Sequence, residues 1–286
     1  MSAPLGGFPL LSDLVAAWLA EDIGRGDVTT NSVVPAGAMG RARIEAREAC
    51  VVAGVGAAAL CFEIGSKRLD GTLEFKELIS DGGRAAEGDV IARIEGPLAP
   101  ILTAERTALN LLARLCGVAT LTRRFVDAVE GTSARIVDTR KTTPGLRGLQ
   151  KYAVVVGGGS NHRFGLDDGV LIKDNHLVAA GGVSEALARA RARAPHWLRV
   201  EVEVTDLGEL EEALAGGADT ILLDNMGPDT VAEAVRINAG RARLEVSGGI
   251  NLDTVRWYAM TGVDLISVGA LTHSAPSIDL ALELEE

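Results

Sequence analysis

Between positions 140 and 173 the chain gathers Arg140, Lys141, His162, Arg163 and Lys173, five side chains suited to anions. From Asp138 to His176 six bases (Arg140, Lys141, Arg147, Lys151, Arg163, Lys173) stand against four acids (Asp138, Asp167, Asp168, Asp174), with His162 and His176 besides. A local +2 thus sits inside a chain of net charge -11. Guanidinium forks take carboxylates bidentately, and lysine supplies a compact charge suited to phosphate. The group points to a small anionic ligand. Any one of these residues alone reads as surface charge, or as a partner of Asp138, Asp167 or Asp168. His162 alone reads as a core histidine. Its place after three glycines, which let backbone approach a ligand, and directly before Arg163 favours function.

Two carboxylates join the group. Glu203 and Asp224 stand 21 residues apart at the ends of successive apolar runs. Magnesium is held by one or two carboxylates together with substrate oxygens, so the pair beside a cationic cluster suits Mg²⁺ bridging to a polyphosphate. The bland alternative is that each neutralises a nearby lysine. Two glycine turns, Ser247-Gly248-Gly249-Ile250 and Val268-Gly269-Ala270, follow later runs. Such turns, leading into helix N-termini, donate N–H groups to phosphate. A partial dinucleotide fingerprint, Gly54-x-Gly56-x-x-Ala59, lacks a βαβ continuation and reads as close helix packing.

The elements that must position these residues follow from periodicity. From about Asn31 to Pro100, "RARIEAREACVVAG", "TLEFKEL" and "DVIARIEG" read as short strands around one helical insert, "GAAALCFEIG". A strong helix follows in "ILTAERTALNLLARLCG", with Thr103, Arg106, Asn110 and Arg114 forming a polar stripe expected to face solvent. Beyond Gly117, six apolar runs ("ARIVDT", "GVLIKDN", "LRVEVEV", "DTILLDN", "ARLEVSGG", "DLISVGA") alternate with helical stretches. Alternation of this kind calls for parallel strands with right-handed crossovers. Six runs fall short of a full eight-stranded barrel. The fold class expected is α/β, an incomplete open α/β barrel with an N-terminal α/β sandwich domain; a doubly wound open sheet competes. Residues 1–116 form the sandwich and linking helix, and 117–286 the barrel with a C-terminal tail. Each run ends in polar residues or glycine: Asp138-Thr139-Arg140-Lys141, Lys173-Asp174-Asn175-His176, Glu201 and Glu203, Asp224-Asn225, Ser247-Gly248-Gly249, and Gly269. In barrels the strand carboxyl ends converge on the active site, so these ends predict a common site.

Composition narrows the classes. With 47% hydrophobic residues in 286, the chain can build two cores. An acidic balance and 3% aromatics argue against a nucleic-acid binder. Cys50, Cys61 and Cys116 lack CxxC spacing, which supports neither a disulfide framework nor zinc and fits a reducing cytoplasm. The early stretch "LSDLVAAWLAEDI" carries Asp13, Glu21 and Asp22 and precedes the first basic residue, Arg25; it reads as an amphipathic helix, neither a signal peptide nor a membrane span.

The stretch "DTRKTTPGLRGLQKYAVVVGGGSNHRFGLDDGVLIKDNH", with "EDIGRGDVTT" upstream and "EVEV", "LLDN", "SGGI" and "SVGALTHSAPSIDL" downstream, resembles the quinolinate phosphoribosyltransferases. Val155 departs from the family pattern, which has a basic residue there. The resemblance implies conversion of quinolinate and phosphoribosyl pyrophosphate to nicotinate mononucleotide, pyrophosphate and CO₂ for NAD biosynthesis. It further implies a seven-stranded open barrel and a homodimer or larger oligomer. Arg106, Arg140, His162, Arg163 and Lys173 would take quinolinate, with Thr139 beside them. Lys141 would hold pyrophosphate, Glu203 and Asp224 the ribose hydroxyls and Mg²⁺, and Ser247, Gly248, Gly249, Gly269 and Ala270 the 5′-phosphate. The catalytic set is Lys141, Glu203 and Asp224, and Arg106 would complete the neighbouring subunit's site. A related branch tied to molybdenum transport shares the "DTRKT" start, but there the "KDNH" strand end is expected to be replaced. A non-catalytic anion-binding module is the other rival, and would leave Glu203 and Asp224 without purpose.

Overall fold

The computed structural model describes residues 10–69 and 71–285. In chain order its first elements are α1 (Leu11–Ile23), α2 (Val28–Val33), β1 (Met39–Ala46), β2 (Cys50–Val51), α3 (Val55–Arg68), β3 (Glu74–Glu77), β4 (Arg84–Ala85), β5 (Val90–Pro97) and α4 (Leu98–Ala128). After them come β6 (Arg135–Val137), α5 (Arg147–Val156), β7 (Val170–Ile172), α6 (Asp174–Ala180), α7 (Val183–Arg193), β8 (Val200–Val204) and α8 (Leu207–Ala215). The last are β9 (Thr220–Asp224), α9 (Pro228–Asn238), β10 (Arg243–Ser247), α10 (Val255–Ala259), β11 (Leu265–Ser267), α11 (Ala270–His273) and β12 (Leu280–Glu285). They form two compact units, one of residues 1–123, 143–158 and 274–286, the other of residues 124–142 and 159–273.

In the first unit a four-stranded antiparallel sheet runs β12-β1-β5-β3. Alternation in β1 buries Ala42, Ile44 and Ala46, the period of two that the sequence shows. The last strand of the chain, β12, pairs antiparallel with β1, Ala46 opposite Leu280. Local pattern did not assign it there, because a terminal strand carries no signal naming its partner. Helix α1 packs on α3. Gly54 ends the preceding loop at φ +93, and a β-carbon on it would lie 2.4 Å from Leu115 Cδ1. The glycine serves close helix packing, as expected. Gly117 does not end its helix: α4 runs on to Ala128. A β-carbon at Gly117 would meet the Pro276 carbonyl oxygen at 1.8 Å, so the glycine admits the tail against the helix. The expected solvent stripe is also broken: Thr103 is buried and donates to Asp27 Oδ2 at 3.2 Å, and Arg114 donates to the Ala275 carbonyl.

The second unit is a parallel sheet in the order β6-β11-β10-β9-β8-β7, the six runs of the sequence in sheet form. The seventh strand that the resemblance implies is reduced to one parallel bridge between Val137 and Ser160. The Ser160 N–H donates to Ile136 O at 2.8 Å and the Asp138 N–H to Ser160 O at 3.1 Å. Glycines 157–159 precede this point, and glycine resists extension into a longer strand. Among the described residues β7 pairs with β8 alone, so the barrel is open. One set of alternate side chains is buried and apolar: Val200, Val202, Val204, Ile221, Leu223, Leu244 and Val246, each contributing roughly 1.5–3 kcal/mol of burial. The opposite alternates carry the polar residues.

Candidate active site

Register fixes which polar alternates are neighbours. Glu203 pairs with Leu222, two residues before Asp224, and Asp224 pairs with Ser247. Glu203, Asp224 and Ser247 therefore share one face at successive strand ends. Lys173 closes β7 and caps α6; its N–H donates to His176 Nδ1 at 2.9 Å, which gives His176 a positioning part. Lys173 Nζ lies 3.3 Å from Glu203 Oε2. Burial raises the Glu203 carboxyl, Lys173 opposes that, and the Asp224 charge adds to it. The two carboxylates thus feel one another. Asn225, held at φ 55, donates from Nδ2 to Asp224 Oδ2 at 2.6 Å. Gly248, at φ +105, is required there, since a β-carbon would lie 2.2 Å from Asn225 Oδ1.

The guanidinium groups of Arg140 and Arg163 form the cationic wall. Arg163 Nη1 donates to Gly169 O at 2.8 Å. The Nε atoms of both arginines are buried without a hydrogen-bond partner. Burial first and the Arg140 charge second lower the Arg163 pKa, so the two like charges are close. Buried donors without partners are costly, about 1–3 kcal/mol each, which an arriving anion relieves. Asp168 and Glu201 offset this wall in part by their charge on Arg163, while the Asp168 carboxylate also accepts the N–H groups of Phe164 at 2.6 Å and Gly165 at 2.9 Å.

Lys141 is exposed, and its N–H donates to Thr139 Oγ1 at 3.0 Å. Its carbonyl accepts the Thr272 hydroxyl at 2.9 Å, which ties the end of β6 to α11. The two glycine turns differ. Gly269 leads at once into α11, whereas after Gly249 the chain makes a turn at Asn251, whose Oδ1 accepts the Asp253 and Thr254 N–H groups, before α10 begins at Val255. The second expected turn-to-helix junction is therefore not direct, because Asn251 satisfies those N–H groups locally.

Below this layer His162 and Glu201, both read from the sequence, meet Glu245, which was not. His162 is largely buried, its N–H donating to Asp138 Oδ1 at 2.8 Å. Its Nε2 is 3.1 Å from Glu201 Oε2 and 3.7 Å from Glu245 Oε1. The ligand atoms of the three lie within 4.8 Å of one another, near enough to surround one ion. A cavity of about 240 Å³ runs from His162 and Arg163 past Glu201 and Glu245 to Arg199 and Arg243. Glu245 is legible only as an acid inside an apolar run and His273 by no spacing at all, whereas Asn225 stands in the polar strand end Asp224-Asn225. His273 Nε2 would stand 3.1 Å from a β-carbon on Gly269.

The linear cluster does not survive intact. Arg147 and Lys151 belong to the first unit, on α5, where Lys151 is buried. Arg106 also lies in the first unit, exposed on α4 and 3.7 Å from Glu105.

Fold and site together define an open parallel α/β barrel with a polar cluster of acids and bases at its strand ends. The model of the quinolinate phosphoribosyl transferase C-terminal domain matches residues 118–283, and that of the N-terminal domain residues 27–116. The chain belongs to the quinolinate phosphoribosyltransferase family. It is 45% identical over 283 residues to a nicotinate-nucleotide pyrophosphorylase [carboxylating] of Mycobacterium leprae, covering 97% of this chain and 98% of that one. A probable enzyme of the same name from Bacillus subtilis is 43% identical over 274 residues, 96% of this chain and 93% of its own. A solved nicotinate-nucleotide pyrophosphorylase from Francisella tularensis superposes with a TM-score of 0.91 at 39% identity, covering 96% of each chain.

Proposed function

We propose that the protein joins quinolinate to phosphoribosyl pyrophosphate and decarboxylates the product, releasing nicotinate mononucleotide, pyrophosphate and CO₂, a step of NAD biosynthesis. The observation carrying this reading is the pair of buried, unpartnered Nε donors on Arg140 and Arg163, a fit for a carboxylate. The intact Lys173-Asp174-Asn175-His176 strand end and the Glu203–Asp224 pair favour it over the molybdenum-linked branch and over a passive anion binder.

In this reading Arg140, Arg163 and Lys173 bind the dicarboxylate, with Thr139 at its edge and His162 behind them, its ring nitrogens turned to Glu201 and to the Arg163 N–H. Lys141 faces the pyrophosphate, and Ser247, Gly248, Gly249, Gly269 and Ala270 the 5′-phosphate. Glu203 and Asp224 face the ribose hydroxyls. Two adjacent acids, one of them raised by burial and by the other's charge, also suit a divalent cation, and they would hold Mg²⁺. Bound there, Mg²⁺ supplies neutralising charge for the pyrophosphate. The pyridine nitrogen attacks the ribose anomeric carbon as its bond to pyrophosphate breaks, through an oxocarbenium-like state in which Lys141 stabilises the leaving charge. The C2–carboxylate bond then breaks. Its electron pair stays on C2 beside the now cationic nitrogen, and C2 takes up a proton. No nucleophilic side chain is needed.

The active form is a homodimer or larger oligomer in which Arg106, exposed on α4, completes a neighbouring subunit's quinolinate pocket. The protein works in the cytoplasm; among the described residues no helix is long and apolar enough to cross a membrane. Purified protein given quinolinate, phosphoribosyl pyrophosphate and Mg²⁺ should yield nicotinate mononucleotide, pyrophosphate and CO₂ in equal amounts. Nicotinate should be a poor substitute, because a dicarboxylate site then keeps unpaired cations. Equal turnover of the two acids would overturn the reading.

A further inference from the structure

We infer that Glu245 is a positioning residue: from the barrel interior it holds the His162 ring together with Glu201, and through His162 it sets the backbone of Arg163 in the anion pocket. The inference deepens the proposed quinolinate reading and rests on it.

Glu245 sits in the middle of β10, 1% exposed, beside Leu222 and Leu265 in the neighbouring strands. A leucine would pack here without electrostatic cost, while a buried carboxylate costs several kcal/mol unless well partnered. Its Oε1 has no hydrogen-bond partner, nor has Glu201 Oε1. The carboxyl is therefore not held for packing. Besides a hydrogen bond from Ser267 and the nearby Asp138 charge, it faces the His162 imidazole, 3.7 Å from Nε2, with Glu201 at 3.1 Å on the same nitrogen.

The other ring nitrogen decides what the carboxylates do. His162 Nδ1 accepts the Arg163 N–H at 2.7 Å. A neutral imidazole that accepts at Nδ1 carries its proton on Nε2, a tautomer assigned here from the network. Nε2–H then donates to Glu201 and has no lone pair for a metal, so His162 and Glu201 form a hydrogen-bonded strut and not an ion site, with the Glu245 carboxyl 3.7 Å from the same nitrogen acting on it by charge. Burial first and the Glu201 charge second push the Glu245 carboxyl up to about 7, while the His162 ring opposes them. The strut ends on Arg163, whose guanidinium is anchored at Gly169 O and whose Nε awaits a partner. Misplacing such a group by 1 Å is enough to cost affinity and rate.

Two measurements test this. The first reads the ring in the free protein: ¹⁵N-histidine spectra should show His162, one of four histidines, as the Nε2–H tautomer, and Glu245→Leu should mix the tautomers. The second is kinetic. Glu245→Gln and Glu245→Leu should raise the KM for quinolinate, by about tenfold for the leucine variant, and leave that for phosphoribosyl pyrophosphate within about twofold. Tm should hold or rise, because a buried charge has gone, whereas a purely structural role would lower it. In a His162→Asn background Glu245→Leu should add nothing. An unchanged His162 tautomer, an unchanged quinolinate KM in an active enzyme, or effects that multiply in the double variant would each overturn the inference. A tautomer that depends on Glu245 in a wild-type protein inert toward quinolinate would uphold the strut and overturn the functional reading instead.

Discussion

Lys141 and Gly269 meet where β6 and β11 end: a β-carbon added at Gly269 would lie 3.1 Å from Lys141 Cδ. The proposed pyrophosphate cation thus crosses the glycine turn proposed for the 5′-phosphate. Gly269→Ala should displace the Lys141 stem by a few tenths of an ångström at little cost in stability. KM for phosphoribosyl pyrophosphate should rise severalfold, with quinolinate little affected. Initial rates at varied concentrations of each substrate check this, and an equal rise for both would contradict it.

Arg140→Lys keeps the charge and loses the planar fork and its Nε donor. Quinolinate KM should increase at least about tenfold, the scale of one charged hydrogen bond. Affinity for phosphoribosyl pyrophosphate, measured alone by titration calorimetry, should not change. Full activity would mean that the buried Nε is not a ligand.

The dimer reading makes a subunit-mixing prediction. Arg106→Ala and Arg140→Ala proteins should each be nearly inactive. Random reassortment of equal amounts makes about half the dimers mixed, each with one intact site and one doubly damaged site, so activity should return to about a quarter of wild type. If mass measurements confirm exchange and activity stays at single-variant levels, Arg106 does not serve a neighbour.

Glu245 also sets a pH dependence. Its pKa rises from an ordinary 4.5 to about 7 on folding, so between those values the folded state binds more protons than the unfolded one. Stability must therefore fall as pH rises from about 4.5 to 7, by on the order of 3 kcal/mol from this group. Urea midpoints across that range should decline less steeply in Glu245→Gln. A parallel decline in the two proteins would assign the titration elsewhere.

Gly117→Ala, ordinarily favourable inside a helix, should destabilise the protein by several kcal/mol, the scale of large overpacking. The added methyl meets the Pro276 carbonyl oxygen, which is backbone and cannot step aside cheaply. A thermal melt compared with that of an Ala variant at exposed Gly227, where φ is -72 and nothing lies within 4 Å, isolates the clash; wild-type stability in Gly117→Ala would refute the close tail contact.

The sequence by itself determined the six parallel strands, their intervening helices and the strand-end placement of Arg140, Lys173, Glu203, Asp224 and the glycine turns. These are local properties: period two, period 3.6 and the polar break that ends a buried strand are written in consecutive residues. Tertiary structure alone decided what depends on partners far apart in the chain. It sent Arg147 and Lys151 to the first unit, paired β12 with β1, and set the Pro276 carbonyl against Gly117 in the middle of α4. It also turned Glu245 inward onto His162, 83 residues away in sequence. Strand register chooses the neighbours of an inward side chain, and register between distant strands is set by the whole sheet, so a lone acid in an apolar run discloses its partner only once the barrel has formed.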